Sequence, residues 1–390
     1  MRILQVIPAF PPSVGYGGGP VVAYEISRHL VLRGHDVTVV TTDANNEKER
    51  IKKEFDRLDG IKVHYFKNIS NYLAYHHKIF ISPRLISWAR AEVKKFDIIH
   101  LHDTRTIQNI IVTHYARKYN VPYVIQPHGT LSYSMREMAK KIFDIFFGKK
   151  MLKDARKLVV LNEKEAKRCI KIGVDKEKIR IIPNGIDLSA YRRKLTKKGE
   201  FKKEYKISAD HQVVLYLGRI HKSKGIELLI RAFAKLSNRL DNVRLAIVGP
   251  DDGYSTTLTA MVDYLGIRDK VTFVSFVSEE HKFAVYSDAD IFVTPTFYGF
   301  PLTFLEAMAC GVPIITTDKG DFIEGIDNEV GFVVKYNEED LENAMFRILT
   351  DVELREKLKG NAQKKIKEYD WDRIVDRIEK VYKEVMEKSA

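Results

Sequence analysis

Short apolar runs of strand length alternate with helix-like segments along this chain, in two separate series. The first series begins at Ile3, and the second restarts at Val213. Strands that alternate with helices predict parallel sheets, because each helix carries the chain back before the next strand begins. The polar, Lys-rich stretch from Ser189 to Tyr205 separates the two series. The sequence therefore predicts an α/β fold with two domains whose parallel sheets face each other across a cleft.

Composition limits the classes of protein to which the chain can belong. It has 390 residues and 45% hydrophobic content, which is enough for sizeable cores. The start MRILQVIPAF runs directly into a strand and no apolar run reaches ~18 residues, so neither a secretory leader nor a membrane span is expected. Cys169 and Cys310 are the two cysteines, and no CxxC is present. We therefore expect neither a disulfide framework nor a structural zinc, and a cytoplasmic location.

Charge is distributed unevenly along the chain. Up to Ala190 there are 33 Lys and Arg against 19 Asp and Glu, whereas from Tyr191 onward the counts are 32 and 33. All of the net basicity therefore lies in the first half. This asymmetry favours an anionic partner, such as nucleic acid, anionic lipid or a phosphorylated acceptor.

The segment VTPTFYGFPLTFLEAMACGVPIITTD, which ends at Asp318, predicts a strand, a loop broken by Pro and Gly, a short helix and a second strand. Glu306 lies in the middle of that helix among apolar residues, where a charge without a partner is costly. It either reaches solvent or accepts hydrogen bonds from a ligand at the helix N-terminus, where free N–H groups favour an anion such as phosphate.

This segment resembles the donor-site signature of retaining glycosyltransferases with the GT-B architecture of two Rossmann-like domains, of the glycosyl transferases group 1 type. The resemblance implies that Glu306 binds the nucleotide ribose. It also implies that the turn of Gly299, Phe300, Pro301 and Leu302 presents backbone amides to the donor diphosphate. Tyr298 stands where the family has a first carboxylate that touches hydroxyls of the transferred sugar.

A second match lies in VVLYLGRIHKSKGIELLIRAF, which is similar to the family's G-R-x-x-x-x-K-G segment. The resemblance places Arg219 and Lys224 on the donor diphosphate. Two cations at a strand end suit a leaving group that gains negative charge as the glycosidic bond breaks. The alternative is a pair of solvated loop side chains.

Weaker matches extend the resemblance over essentially the whole chain. The segment VTFVSFV resembles the strand end beside the base, which implies that Val277 and Lys282 lie near it. The run from Trp371 to Tyr382 resembles the family's terminal helix, which crosses back to the first domain. The predicted boundaries are residues 1–188 for the acceptor domain, 189–370 for the nucleotide-sugar domain and 371–390 for the returning helix.

Glycines and histidines follow strands of the first domain, at the sheet edge where parallel sheets bind ligands. Gly18 and Gly19 follow the first strand, where bare backbone allows a phosphate to approach; a flexible turn is the alternative. The PHG setting of His128 matches the family's histidine that touches the transferred sugar. His102 is a candidate on the acceptor side. For each histidine, a hydrogen-bonded structural residue is the alternative.

The segment MAKKIFDIFFGKKML places aromatic and aliphatic residues between lysine pairs, from Met138 to Leu152. It predicts either a core helix with a solvated Lys rim or an interfacial anchor on an anionic bilayer.

The resemblance implies a metal-independent enzyme that moves a sugar from a nucleotide diphosphate to an acceptor hydroxyl of a glycan or lipid-linked glycan. No cofactor is expected, and no Asp-x-Asp motif lies next to Arg219 or Lys224 in the sequence. A nicotinamide dehydrogenase would explain Asp43 after the second strand, but the first loop lacks G-x-G-x-x-G. A nucleic-acid-binding module leaves the second half unexplained, so no nucleic acid is expected. An inactive nucleotide-sugar-binding subunit remains an alternative because of Tyr298.

Overall fold

The computed structural model describes residues 1–13, 16–131, 137–194, 198–275, 277–297, 299–321 and 323–387. The chain forms two compact units. Unit 1 comprises Met1–Gly185 and Trp371–Ala390, and unit 2 comprises Ile186–Asp370. The segment from residue 371 onward is thus part of the same compact unit as the first series of strands.

Unit 1 is built on an eight-stranded sheet with the order β3-β4-β2-β1-β5-β6-β7-β8. Its strands are β1 (Arg2–Val6), β2 (Asp36–Thr42), β3 (Phe55–Leu58), β4 (Ile61–Phe66), β5 (Ile98–His102), β6 (Tyr123–Gln126), β7 (Lys157–Val160) and β8 (Ile179–Ile181). All neighbours pair in parallel except β3 and β4. Because β1 lies between β2 and β5, the crossovers diverge on either side of it, which creates a switch point at the carboxyl ends of β1 and β5.

The first seven helices belong to unit 1. They are α1 (Gly19–Leu32), α2 (Asn71–His77), α3 (Arg84–Glu92), α4 (Ile107–Lys118), α5 (Glu137–Phe143), α6 (Lys149–Asp154) and α7 (Glu163–Lys171). A π-helical turn, Asp144–Gly148, joins α5 to α6, and short 3-10 turns cover Val93–Lys95 and Lys176–Lys178.

Unit 2 carries a six-stranded, fully parallel sheet with the order β11-β10-β9-β12-β13-β14. Its strands are β9 (Gln212–Leu217), β10 (Val243–Val248), β11 (Val271–Val274), β12 (Ile291–Thr294), β13 (Ile314–Thr317) and β14 (Gly331–Val334). The chain order diverges on either side of β9, so the switch point of this sheet lies at the carboxyl ends of β9 and β12.

Among the described residues, unit 2 has eight helices. They are α8 (Leu188–Lys194), α9 (Glu200–Glu204), α10 (Ile226–Leu236), α11 (Ser255–Tyr264), α12 (Glu279–Asp288), α13 (Leu302–Ala309), α14 (Glu338–Thr350) and α15 (Val352–Lys365), with 3-10 turns at Lys222–Lys224, Arg268–Lys270 and Ile366–Tyr369. The last helix, α16 (Trp371–Glu387), returns to unit 1.

Burial explains why the sheets form where they do. The central strands are buried along almost their whole length, as expected for parallel strands covered on both faces, and most of their residues are apolar. Helix α10 buries Ile226, Leu229, Phe233 and Leu236, whose spacing places them on one side of the helix. These side chains pack against the sheet residues of the same core. Because the strands run parallel, the strand ends that carry the candidate site residues lie at one edge of each sheet.

The segment from Met138 to Leu152 is not a core helix along its whole length. Met151 and Leu152 are buried, but Ile142, Ile145 and Phe146 are exposed, Phe146 to 70%. The core-helix interpretation is therefore wrong for the exposed side chains. Among the described residues, no helix has the length and apolar character that crossing a membrane requires.

Candidate functional site

The switch point of unit 2 brings together two loops that are far apart in sequence. One follows β9 and contains the 3-10 turn Lys222–Lys224, and the other follows β12. Gly225 packs the first loop against the second: a Cβ at this position would lie 3.0 Å from Thr296 Oγ1 and 3.3 Å from Pro295 Cβ. Its φ of 68° also lies in the left-handed region that favours glycine. The residue after Lys224 is therefore held directly against the loop that leads to Glu306.

Two cationic side chains, Arg219 and Lys224, lie on the loop that follows β9. The Arg219 guanidinium donates from Nη1 to Asp252 Oδ2 over 2.8 Å, and both side chains are exposed, Arg219 to 64%. Lys224 is partly buried, and its ammonium has no hydrogen-bond or ion-pair partner among the described residues. Burial, followed by repulsion from Arg219, lowers the pKa of Lys224. An anion bound beside Lys224 would offset both effects.

One backbone N–H of the turn before α13 is hydrogen-bonded within the protein. Gly299 has a φ of 77°, and its N–H donates to the buried Asp321 carboxylate over 2.9 Å. Pro301 precedes the helix and supplies no side-chain cap, and its carbonyl oxygen accepts from the Phe304 N–H over 3.0 Å. The N–H groups of Leu302 and Thr303, the first two residues of α13, have no hydrogen-bond partner among the described residues. Gly299 already donates within the protein, so the predicted contact of this turn with a diphosphate depends on the first residues of α13.

Glu306 neither reaches solvent freely nor lacks partners. Its Oε2 accepts a hydrogen bond from the Tyr286 hydroxyl over 2.9 Å, and its Oε1 lies 3.6 Å from Lys282 Nζ. The carboxylate is only 12% exposed. Burial, with the adjacent Glu306 charge, raises the pKa of Tyr286, so its phenol stays protonated and donates. Each carboxylate oxygen has more than one lone pair, so capacity remains for further donors.

Val277 and Tyr298 are the two remaining candidate residues of unit 2. Val277 is partly exposed and lies between the end of β11 and the start of α12, the helix that carries Lys282. Tyr298 lies outside the described residues.

In unit 1, two histidines follow neighbouring strands and contact each other. His102 ends β5 and His128 lies just beyond β6, with 2.8 Å between His102 Nδ1 and His128 Nε2. His128 has a φ of 54°, in the left-handed region that a β-carbon disfavours. The His102 side chain is fully buried. Because it is buried, His102 would act on a bound ligand only through its contact with His128.

The predicted glycines are placed at the start of a helix of the same unit. Gly18 precedes α1 as its N-terminal cap residue and has no side chain to satisfy the first N–H groups, and Gly19 is the first residue of the helix. A Cβ at Gly19 would meet nothing within 4 Å, so open space rather than crowding surrounds this position.

Sequence reasoning missed Asp103, which directly follows His102 at the switch point of unit 1. Its φ is 62°, and its carboxyl has no partner among the described residues. Burial, with a smaller contribution from Glu165, raises its pKa to about 7. Perturbed carboxyls of this kind are concentrated at functional sites. The signal was present in the sequence, since the run IIHLHD ends in a carboxylate immediately after a buried strand.

Comparisons with known proteins agree with this architecture. The chain matches the family Glycosyl transferases group 1 over residues 197–365 and Glycosyltransferase Family 4 over residues 16–190. It is 28% identical to an uncharacterized glycosyltransferase of Methanocaldococcus jannaschii, over 99% of each chain. It is also 28% identical to D-inositol 3-phosphate glycosyltransferase of Mycobacteroides abscessus, over 88% of this chain and 79% of the relative.

A solved structure of the same architecture covers the full length. HepE of Anabaena, determined in complex with UDP, superposes with a TM-score of 0.79 at 18% identity, over 98% of this chain and 100% of HepE. At that identity the likeness concerns the fold. The α/β fold of the GT-B class predicted from the sequence is confirmed.

Proposed function

Since the chain belongs to the group 1 glycosyltransferases, we propose that it is a retaining enzyme that moves a sugar from a nucleoside diphosphate to an acceptor hydroxyl. The observation that carries this proposal is the convergence of Lys224, Arg219 and the uncapped start of α13 at one switch point. Parallel sheets bind ligands at such points, and these groups suit a diphosphate. The complex of HepE with UDP supports a nucleotide in the same role.

In the proposed mechanism the cations stabilise the leaving group. The bond between the sugar anomeric carbon and the diphosphate oxygen breaks, and charge accumulates on that oxygen. In this proposal Arg219 and Lys224 lie beside the oxygen on which the charge develops, where positive charge stabilises the transition state. They perform the task that a divalent cation performs in other enzymes, so the proposed reaction needs neither metal nor cofactor.

The anomeric configuration is retained if the acceptor attacks the sugar from the same face from which the leaving group departs. The acceptor oxygen forms the new bond to the anomeric carbon while its proton passes to the departing phosphate oxygen. No protein nucleophile is needed, so Tyr298 in place of a carboxylate is compatible with activity. Glu306 holds the nucleotide through the ribose hydroxyls, and Val277 and Lys282 lie beside the base.

We propose that His128 and Asp103 of unit 1 bind hydroxyls of the substrates. His128 contacts the transferred sugar, and Asp103 accepts a hydrogen bond from an acceptor hydroxyl when ionised. The acceptor itself is a glycan or a lipid-linked glycan in this proposal. A phosphorylated acceptor agrees with the excess of Lys and Arg before Tyr191 and with the name of the inositol phosphate relative.

A panel of nucleotide sugars tests the function directly. We expect turnover or slow hydrolysis with one donor, and a different donor preference for Tyr298→Glu, because a phenol lacks the paired charged acceptors of a carboxylate. A parent protein that is inert with every donor, together with an active Tyr298→Glu protein, would establish the inactive-subunit alternative. If both proteins share one preference, Tyr298 does not select the sugar.

We also propose that unit 1 contacts an anionic membrane through the segment around Phe146. Ile142, Ile145 and Phe146 are exposed apolar side chains, and basic residues such as Lys141 and Lys149 are exposed beside them. Exposed aromatic and aliphatic side chains flanked by lysines bind the interface of anionic bilayers, at about 1 kcal/mol per basic residue. A lipid-linked acceptor would then be reached at that surface.

Co-sedimentation with vesicles tests this contact. Binding should rise with the fraction of anionic lipid and fall with salt, because exposed charges are screened beyond roughly 8 Å at physiological ionic strength. Phe146→Glu should weaken binding. Tyr264→Glu is the matched control, since Tyr264 is an exposed aromatic residue of unit 2, at 89% exposure. Binding that ignores lipid charge, salt and Phe146→Glu would exclude the membrane contact.

A further inference from the structure

His128 and four other side chains of unit 1 form one continuous hydrogen-bonded chain. His128 Nε2 lies 2.8 Å from His102 Nδ1, and His102 Nε2 lies 2.7 Å from Gln5 Oε1. On the other side, Gln5 Nε2 lies 3.3 Å from the Tyr382 hydroxyl, which lies 2.6 Å from His100 Nδ1. The chain thus links the loop after β6 to the last helix, α16, through the first strand.

Burial keeps the three imidazoles of this chain neutral near neutral pH. Desolvation lowers the pKa of His100 and of His128 to about 3. It also lowers the pKa of His102 well below its usual value. A neutral imidazole carries one N–H, so one ring nitrogen donates and the other accepts. Each ring therefore has a definite tautomer, which its neighbours set.

The amide of Gln5 determines the direction of every hydrogen bond toward His128. A carbonyl oxygen cannot donate, so His102 Nε2 carries the proton that Gln5 Oε1 accepts. Nδ1 of His102 is then bare, and it accepts from the N–H at Nε2 of His128. Nδ1 of His128 is left without a proton. It has no partner among the described residues.

Tyr382 contacts the Gln5 amide from the other side. The amide NH₂ of Gln5 donates to the Tyr382 oxygen, and the Tyr382 hydroxyl donates to His100 Nδ1 when that nitrogen carries no proton. Rotating the amide by half a turn would place NH₂ against His102 and reverse the direction of the chain. His128 would then carry its proton on Nδ1 and would donate instead of accepting.

We infer that Gln5 and Tyr382 are positioning residues that fix His128 as a hydrogen-bond acceptor at Nδ1 for a substrate hydroxyl. The inference rests on the proposed contact between His128 and the sugar. It gives the buried His102 and the last helix a common role, because both act on the substrate through the tautomer of His128. Gln5, His102 and Tyr382 are 0% exposed, so none of the three needs to touch the substrate.

Nitrogen NMR of the full chain, labelled with ¹⁵N in its histidine rings, tests the tautomer. The His128 signals are identified by their loss in a His128→Asn protein. We expect a bare Nδ1 and a protonated Nε2 for His128 in the wild type. A proton on Nδ1, or a doubly protonated ring at neutral pH, would overturn the inference. Because the spectrum is recorded without substrate, this result is independent of whether the chain transfers a sugar.

Two substitutions of Gln5 separate positioning from packing. Gln5→Met keeps a similar side-chain length without hydrogen-bonding groups, so His128 should show both tautomers. Gln5→Glu offers oxygens that accept, so it should retain the wild-type tautomer. Equal populations in Gln5→Met would lower the apparent donor affinity about twofold, since half of the molecules are competent. A single wild-type tautomer in Gln5→Met would overturn the role of Gln5.

Tyr382→Phe provides a second route to the same answer. It removes the hydroxyl that receives the Gln5 NH₂ and frees the amide to rotate. The second His128 tautomer should therefore appear in this variant as well. An unchanged His128 spectrum in Tyr382→Phe would remove Tyr382 from the positioning chain.

Discussion

Lys224→Ala should lower turnover of the donor by about 10²-fold or more, the usual effect of removing one preorganised group that stabilises developing charge. The structure explains why the loss should be large. Lys224 is partly buried, and burial, followed by repulsion from Arg219, lowers its pKa. It has no carboxylate partner among the described residues. A cation held in this way is available to a diphosphate without first breaking an ion pair.

Steady-state turnover with saturating donor measures this effect. Lys222→Ala is the matched control, because Lys222 lies in the same 3-10 turn but is exposed. Its turnover should stay within a few-fold of wild type, as surface substitutions usually have small effects. Near-normal turnover of Lys224→Ala, or equal losses in both variants, would remove Lys224 from the diphosphate site.

Glu306→Gln should weaken binding of the nucleoside diphosphate by about tenfold to a hundredfold. A hydrogen bond to a charged group contributes about 1.5–3 kcal/mol, and 1.4 kcal/mol is a factor of ten. The carboxylate already accepts from Tyr286 and lies near Lys282, so its position is fixed before the ribose arrives. The amide of Gln keeps the shape but loses the charge.

Calorimetric titration with the nucleoside diphosphate that stabilises the wild type most measures this loss of affinity. Glu356→Gln on α15 is the control, because its carboxylate is 62% exposed and should not affect affinity. The melting temperature of Glu306→Gln must be compared in the same experiment, since Lys282 and Tyr286 lose a charged partner. Unchanged affinity in a folded Glu306→Gln protein would exclude Glu306 from the ribose site.

The buried parallel strands were predictable because their apolar runs are strong signals. The two series were predicted to begin at Ile3 and Val213, each within one residue of the observed starts of β1 and β9. The short edge strands β3, β8 and β14 lack such a signal. Phe55 opens β3 as an exposed residue on an edge strand, and β8 has three half-buried residues at another edge. Short edge strands lack the continuous burial that produces a recognisable pattern.

Residues of the candidate site were predictable only where charged side chains lie in a segment that directly follows a strand. Arg219, Lys224 and Glu306 stand in such segments, and the structure places all three in unit 2 on the segments that follow β9 and β12. Partners contributed by distant segments left no local signal: Tyr286 faces Glu306 from α12, and Tyr382 reaches Gln5 across the length of the chain. Such contacts depend on tertiary packing, which no spacing of residues reveals.

Proton NMR of the transfer product tests the central claim most directly. The enzyme is given a donor of known anomeric configuration from the active member of the panel, and the coupling of the anomeric proton is recorded in the first product formed. We expect the product to keep the donor's configuration, with transfer lost in Lys224→Ala and kept in Lys222→Ala. A product of inverted configuration would contradict the proposed front-face mechanism, and no transfer from any donor would contradict the proposed activity.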